Sequence, residues 1–115
     1  MALSPQQVRD VLAAVGAFIE KRRPAPEIRS QLDYRADIKG STVTIVSMRP
    51  AYKNKKASLD FPIARVRWIG TRRQWRMFWM RADLKWHRYE SASRIRSIRD
   101  AMIEIDRDPY CCFFG

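Results

Sequence analysis

The stretch Arg73–Tyr89, RQWRMFWMRADLKWHRY, does most to limit what this chain can become. It holds three tryptophans, five Arg or Lys and the chain's one histidine. Its side chains alternate with a period of two, which is the signature of a half-buried strand. Trp75, Met77 and Trp79 fall on one side of a strand over Arg73–Met80, and Arg76, Phe78 and Met80 on the other. The preceding run, Phe61–Ile69, alternates in the same way, with Ala64, Val66 and Trp68 against Arg65 and Arg67; a further strand is expected over Leu84–Tyr89. A Thr71-Arg72 turn sets Trp68 opposite Trp75, Val66 opposite Met77 and Ala64 opposite Trp79, gathering the large apolar groups on one face. An Ala82-Asp83 turn then sets Trp79 opposite Trp86. This pairing leaves Arg88 on the tryptophan side opposite Met77, to be accommodated at the sheet margin by snorkelling to water or stacking on an indole.

The flanking segments supply what covers that apolar face. Ser4-Pro5-Gln6-Gln7 reads as a capped helix start, followed by Val8, Val11, Leu12, Val15, Phe18 and Ile19 at helical spacing. Lys21-Arg22-Arg23 suits the negative end of the helix dipole, and Pro24 and Pro26 stop the helix. From Leu32 the period becomes two. Leu32, Tyr34, Ala36 and Ile38 share a side, Gly40-Ser41 turns the chain, and Thr42–Met48 forms the second arm of a hairpin. Pro50–Ser58 is a polar loop carrying Lys53, Lys55 and Lys56. Near the end, Ser91 or Ser93 caps a second helix whose Ile95, Ile98, Met102 and Ile105 form a stripe that Pro109 closes. The expectation is an α+β domain: an antiparallel five-stranded meander flanked by an N-terminal and a C-terminal helix. At 115 residues one domain accounts for the whole chain.

Charge directs the functional reading. Of a net +11, residues 61–99 carry eleven Arg or Lys against Asp83 and Glu90, a local +9, while residues 100–115 are net −3. A basic excess confined to one region attracts phosphate polyanions. The register above gives an outward face of Arg65, Arg67, Arg76, Phe78, Met80, Lys85, His87 and Tyr89. Arg67 lies opposite Arg76, a like-charge pairing that weakens a sheet unless an anion sits between. Cations for phosphates interleaved with rings for bases are what a single-stranded RNA or DNA platform requires. Nucleic-acid binding through Arg65, Arg67, Arg76, Phe78, Lys85, His87 and Tyr89 is therefore the leading expectation.

Two other classes compete with it. Lys85, His87 and Tyr89 share a face with Asp83 at the turn, so His87 could act as general base in a small hydrolase-like or transferase-like enzyme. Lys85 or Arg76 would hold its anionic substrate. The apolar ending Tyr110–Gly115 could instead dock on a second copy as a homodimer, although packing on its own domain is the simpler fate. Nothing marks a cofactor or metal: there is no glycine-rich phosphate loop, carboxylate pair or activated serine. Adjacent Cys111 and Cys112 fit neither a zinc spacing nor a disulfide framework and read as reduced thiols. No apolar run approaches the roughly 20 residues of a bilayer span and no secretory leader opens the chain, so a cytoplasmic location without a membrane partner is expected.

Trp79–Glu90, WMRADLKWHRYE, together with Arg22–Pro26, Arg49-Pro50 and the closing DPYCCFFG, resembles a bacterial family catalogued as domain of unknown function 3024. The likeness covers almost the whole chain, and its most specific parts are Trp79–Glu90 and Cys112–Gly115. It implies a small cytoplasmic bacterial protein and carries over no activity, cofactor or catalytic residue. The family pattern has a glycine where this chain has Cys111, which bears on the backbone geometry there.

Overall fold

A computed structural model of the chain describes residues 3–29, 31–50, 58–90 and 95–114. Helix α1, Pro5–Arg22, starts at the expected capping box: Gln7 N–H donates to Ser4 Oγ (3.2 Å) while Ser4 N–H donates to Gln7 Oε1 (2.9 Å). Its buried face is Val11, Val15 and Phe18, narrower than the sequence stripe, and Leu12 is 60% exposed. Ala14 and Ile19 pack against the same core on the flanks of that face, and Leu12 lies outside it.

The basic end of α1 is consumed by ion pairs. Arg22 Nε donates to Asp106 Oδ1 (2.9 Å), and Arg23 grips Asp33 through two 2.8 Å bonds. The triplet is thus a clasp holding the helix end to the far helix and to the first strand. A short 3-10 turn, Pro26–Ile28, then leads into the sheet.

Five antiparallel strands follow in chain order: β1 Asp33–Lys39, β2 Thr42–Pro50, β3 Ser58–Ile69, β4 Gln74–Met80 and β5 Trp86–Arg88. Gly40, at φ 60, makes the β1–β2 turn, where a side chain would be strained. Between β2 and β3 the pairing steps from Ile45↔Ala64 to Val46↔Pro62, so Ile63 is an extra residue. Pro62 has no N–H to offer the ladder, and a bulge is where a strand tolerates that loss.

Helix α2, Ile98–Arg107, begins later than its apolar stripe suggested. Ser97 caps it, accepting from Asp100 N–H at 3.1 Å, whereas Ile95 is extended and its carbonyl takes Trp75 N–H at 2.6 Å. Ile95 is buried all the same (9% exposed), because a bridge to β4 covers it as well as a helix face would. Ser91, Ser93 and Lys53, Lys55 and Lys56 lie outside the described residues. The two helices cover one face of the meander, and the core joins Val11, Val15 and Phe18 of α1 to Val43, Ile45, Val66 and Met77 of the sheet and Ile98, Met102 and Ile105 of α2.

The apolar tail folds back onto this core. Asp108, left-handed at φ 44, ends α2. Its carboxylate then accepts Phe113 N–H (3.0 Å) and Phe114 N–H (2.8 Å). Phe113 is buried against the Tyr89 ring at 5.0 Å, and the Arg22 guanidinium lies 3.8 Å over Phe114. Both terminal phenylalanines are therefore satisfied within their own chain.

Candidate functional site

The strands β3 and β4 pair in the expected register, Trp68↔Trp75, Val66↔Met77 and Ala64↔Trp79. The loop between them runs Gly70–Arg73, with Arg72 N–H donating to the Ile69 carbonyl and Arg73 at φ 48. Four loop residues preserve the same pairing as the two-residue turn, because the extra residues are added symmetrically. Consequently Arg65 lies opposite Phe78 and Arg67 directly opposite Arg76, all four on the face away from the helices.

The β4–β5 hairpin is shifted by one residue from expectation. Trp79 pairs with His87 rather than Trp86, Phe78 with Arg88, and Met80 with Trp86. The cause is a three-residue loop, Ala82–Leu84. Leu84 N–H donates to the Arg81 carbonyl (2.9 Å), Arg81 N–H to the Lys85 carbonyl (3.3 Å), and Leu84 takes the left-handed φ of 61 that such loops require. Asp83 reinforces the turn by accepting Lys85 N–H at 2.9 Å. A slip of one residue reverses every side chain of a strand, and it does so here.

Three of the seven expected site residues therefore leave the outer face. Tyr89 is 3% exposed in the core, its hydroxyl donating to Glu104 Oε1 at 2.7 Å. Burial, then that carboxylate, push the Tyr89 phenol well above its ordinary range. His87 lies on the helix side, 6.4 Å from the Trp79 ring, with Nε2 at 2.8 Å from Asp83 Oδ2. This contact holds the Asp83 carboxyl below the usual range. Lys85, exposed at the turn, alternates with Trp86 and so belongs to that side too. Of the enzyme constellation, Lys85 and His87 stay on one side with Asp83, while Arg76 lies across the sheet and Tyr89 is buried.

In exchange the outer face gains Trp86 and Arg88. The Arg65 guanidinium lies 4.5 Å over the Trp86 ring. The row Arg65–Phe78–Arg88 crosses three strands, flanked by the Arg67–Arg76 pair. The sequence did hold a clue, the misfit of Arg88 among the tryptophans, which the longer loop removes.

The cluster is electrostatically uncompensated. Burial, followed by Arg88, Arg72 and Arg67, lowers the affinity of Arg76 for its proton. The Nε atoms of Arg65 and Arg76 are buried without a hydrogen-bond partner among the described residues, a costly state for a cationic donor. Among the described residues no carboxylate comes within ion-pair distance of Arg65, Arg67, Arg76 or Arg88. The acids that share this face, Asp37 and Asp60, hold Arg35 at 3.1 and 2.6 Å. They line a groove of about 540 Å³ that runs from Arg35 past Thr44 to Arg65.

Among the described residues, no set of three or more His, Cys, Asp or Glu side chains could hold a metal ion, and no helix is long and apolar enough to cross a membrane. Neither a curated protein nor a solved structure matches the chain. The family model described as Domain of unknown function (DUF3024) matches residues 3–115, and the chain belongs to that family.

Proposed function

We propose that the outer sheet face binds single-stranded nucleic acid, with phosphates held by Arg65, Arg67, Arg76 and Arg88 and bases stacked on Phe78 and Trp86. The observation that carries this reading is the Arg67–Arg76 pair, facing across two strands with Arg88 beside it and no carboxylate to neutralise it among the described residues. Like charges directly opposite in a sheet are destabilising. A phosphate placed between them turns that cost into binding energy, and the half-buried aromatic groups beside them suit unpaired bases better than a closed duplex.

The alternation of cation and ring along Arg65, Phe78 and Arg88 matches a strand whose charge and base repeat together. Fluorescence anisotropy with a labelled mixed oligonucleotide of about 12 nucleotides tests it, since open-sheet platforms engage segments of that order. Binding is expected at low salt and should weaken as salt rises. Each phosphate neutralised contributes about −0.7 to the slope of log affinity against log salt. Arg67→Ala with Arg76→Ala should therefore flatten that slope by about 1.4. Trp86→Ala should cost about 1–3 kcal/mol with little change in slope. Absence of binding at low salt would end the proposal.

A further inference from the structure

A groove of about 590 Å³ opens on the opposite side of the molecule, between α1, the start of α2 and the indoles of Trp68 and Trp75. Its size falls within the range of small-molecule sites. Its floor is aromatic: the two indoles meet at 5.4 Å and 58°, Trp75 buried at 4% exposed and Trp68 half-buried. Its α1 wall is built from Ala13, Ala14 and Ala17, whose methyl groups leave the space that longer side chains would fill.

The polar lining of the groove is unequal. Asp10 already accepts from Gln6 Nε2 at 2.9 Å. Arg96 and Arg99 line the groove as well, neither with a carboxylate partner among the described residues. Ser97 and Ile98 bring the positive end of the α2 dipole to the same groove.

We propose that this groove binds a small planar aromatic acid, its ring on Trp68 and its carboxylate or sulfonate at Arg96 and Arg99. The half-buried Trp68 indole selects a ring over a branched aliphatic group, because an indole face offers its full contact area only to another plane. The two free guanidinium groups select an anion over a neutral or cationic ligand. The site lies across the sheet from the arginine cluster and does not depend on the nucleic-acid reading.

Anilinonaphthalene sulfonate serves as the probe, followed by energy transfer from the indoles, with N-phenylnaphthylamine as its uncharged counterpart. The parent protein should bind the sulfonate saturably at one site, and the neutral compound roughly tenfold more weakly, the loss expected when a charge-assisted contact is missing. Ala17→Leu fills the groove from an exposed helix position with little change in helix propensity, and should weaken the sulfonate by about tenfold or more. Arg96→Gln with Arg99→Gln should weaken the sulfonate by a similar factor and leave the neutral compound unaffected. Arg67→Ala with Arg76→Ala should change neither. Equal affinity for the two compounds, or indifference to both groove variants, overturns the proposal. Loss of binding in the Arg67/Arg76 variant places the probe on the outer face and overturns it equally. Thermal melts of each variant separate lost binding from lost folding.

Discussion

Cys111 stands at φ 57, in the left-handed region that glycine enters freely and side chains enter at a cost of about 1–2 kcal/mol. Its amide donates to the Asp108 carbonyl at 3.1 Å, and two residues later Phe113 is buried, so the tail cannot relax the angle without surrendering that packing. Glycine is thus the residue this backbone asks for. Cys111→Gly should stabilise the protein by about 0.5–1 kcal/mol, the relieved strain less the extra freedom of the unfolded chain. In a thermal melt that corresponds to a rise of roughly 2–6 °C. Cys111→Ala keeps the strain and should leave the midpoint unchanged; equal gains from both would assign the effect to the thiol instead. Local rules that need only neighbouring residues could be read from the chain, as at Ser4 and Gln7 or along Arg65, Arg67, Arg76 and Phe78. Left-handed positions at Arg73, Leu84 and Asp108 could not, since no glycine or asparagine marks them.

The hairpin β4–β5 shows why element-level pairing was only partly legible. Period-two alternation says which residues share a face within a strand, but the loop length decides which face meets which. For β3–β4 both loop lengths give one register, whereas Ala82-Asp83 and Ala82–Leu84 differ by one residue and so by a reversal. Tertiary packing selects the longer loop: it buries Tyr89 between Phe113 and α2 and frees Arg88, at the cost of a left-handed Leu84. Ala82→Asn with Asp83→Gly, which sets the preferred two-residue turn between Arg81 and Leu84, should force the alternative pairing. It would turn Tyr89 outward and Arg88 inward. Removing a large ring from a core costs about 3–5 kcal/mol, so chemical denaturation should show a loss of that order. A variant as stable as the parent would mean that β5 does not depend on its loop for register.

Across the whole molecule the carboxylates are unevenly shared among the arginines. Where the end of α1 meets α2 and β1 the carboxylates are spent on structure: Asp106 ties Lys21 and Arg22 of α1 to α2, and Asp33 ties Arg23 to β1. On the outer side the arginines around Arg76 are left without counter-charge among the described residues. The partition gives stability a predictable dependence on pH. Hydrogen bonds from Lys21 and Arg22 hold the Asp106 carboxyl below its ordinary range, and those from Arg23 do the same for Asp33. A carboxyl whose folded pKa lies below its unfolded value, about 3.9, stabilises the native state above that value. The contribution disappears as pH falls through the lowered folded value. Stability measured by denaturant should therefore be level from neutral pH down to about 5, then decline below about 4. Asp106→Asn should be less stable than the parent at neutral pH, with the difference narrowing as acid removes the same interactions from the parent. If the two declined in parallel below pH 4, the clasp between α1 and α2 would carry no share of the acid response, and Asp106 would be holding the helices by shape alone.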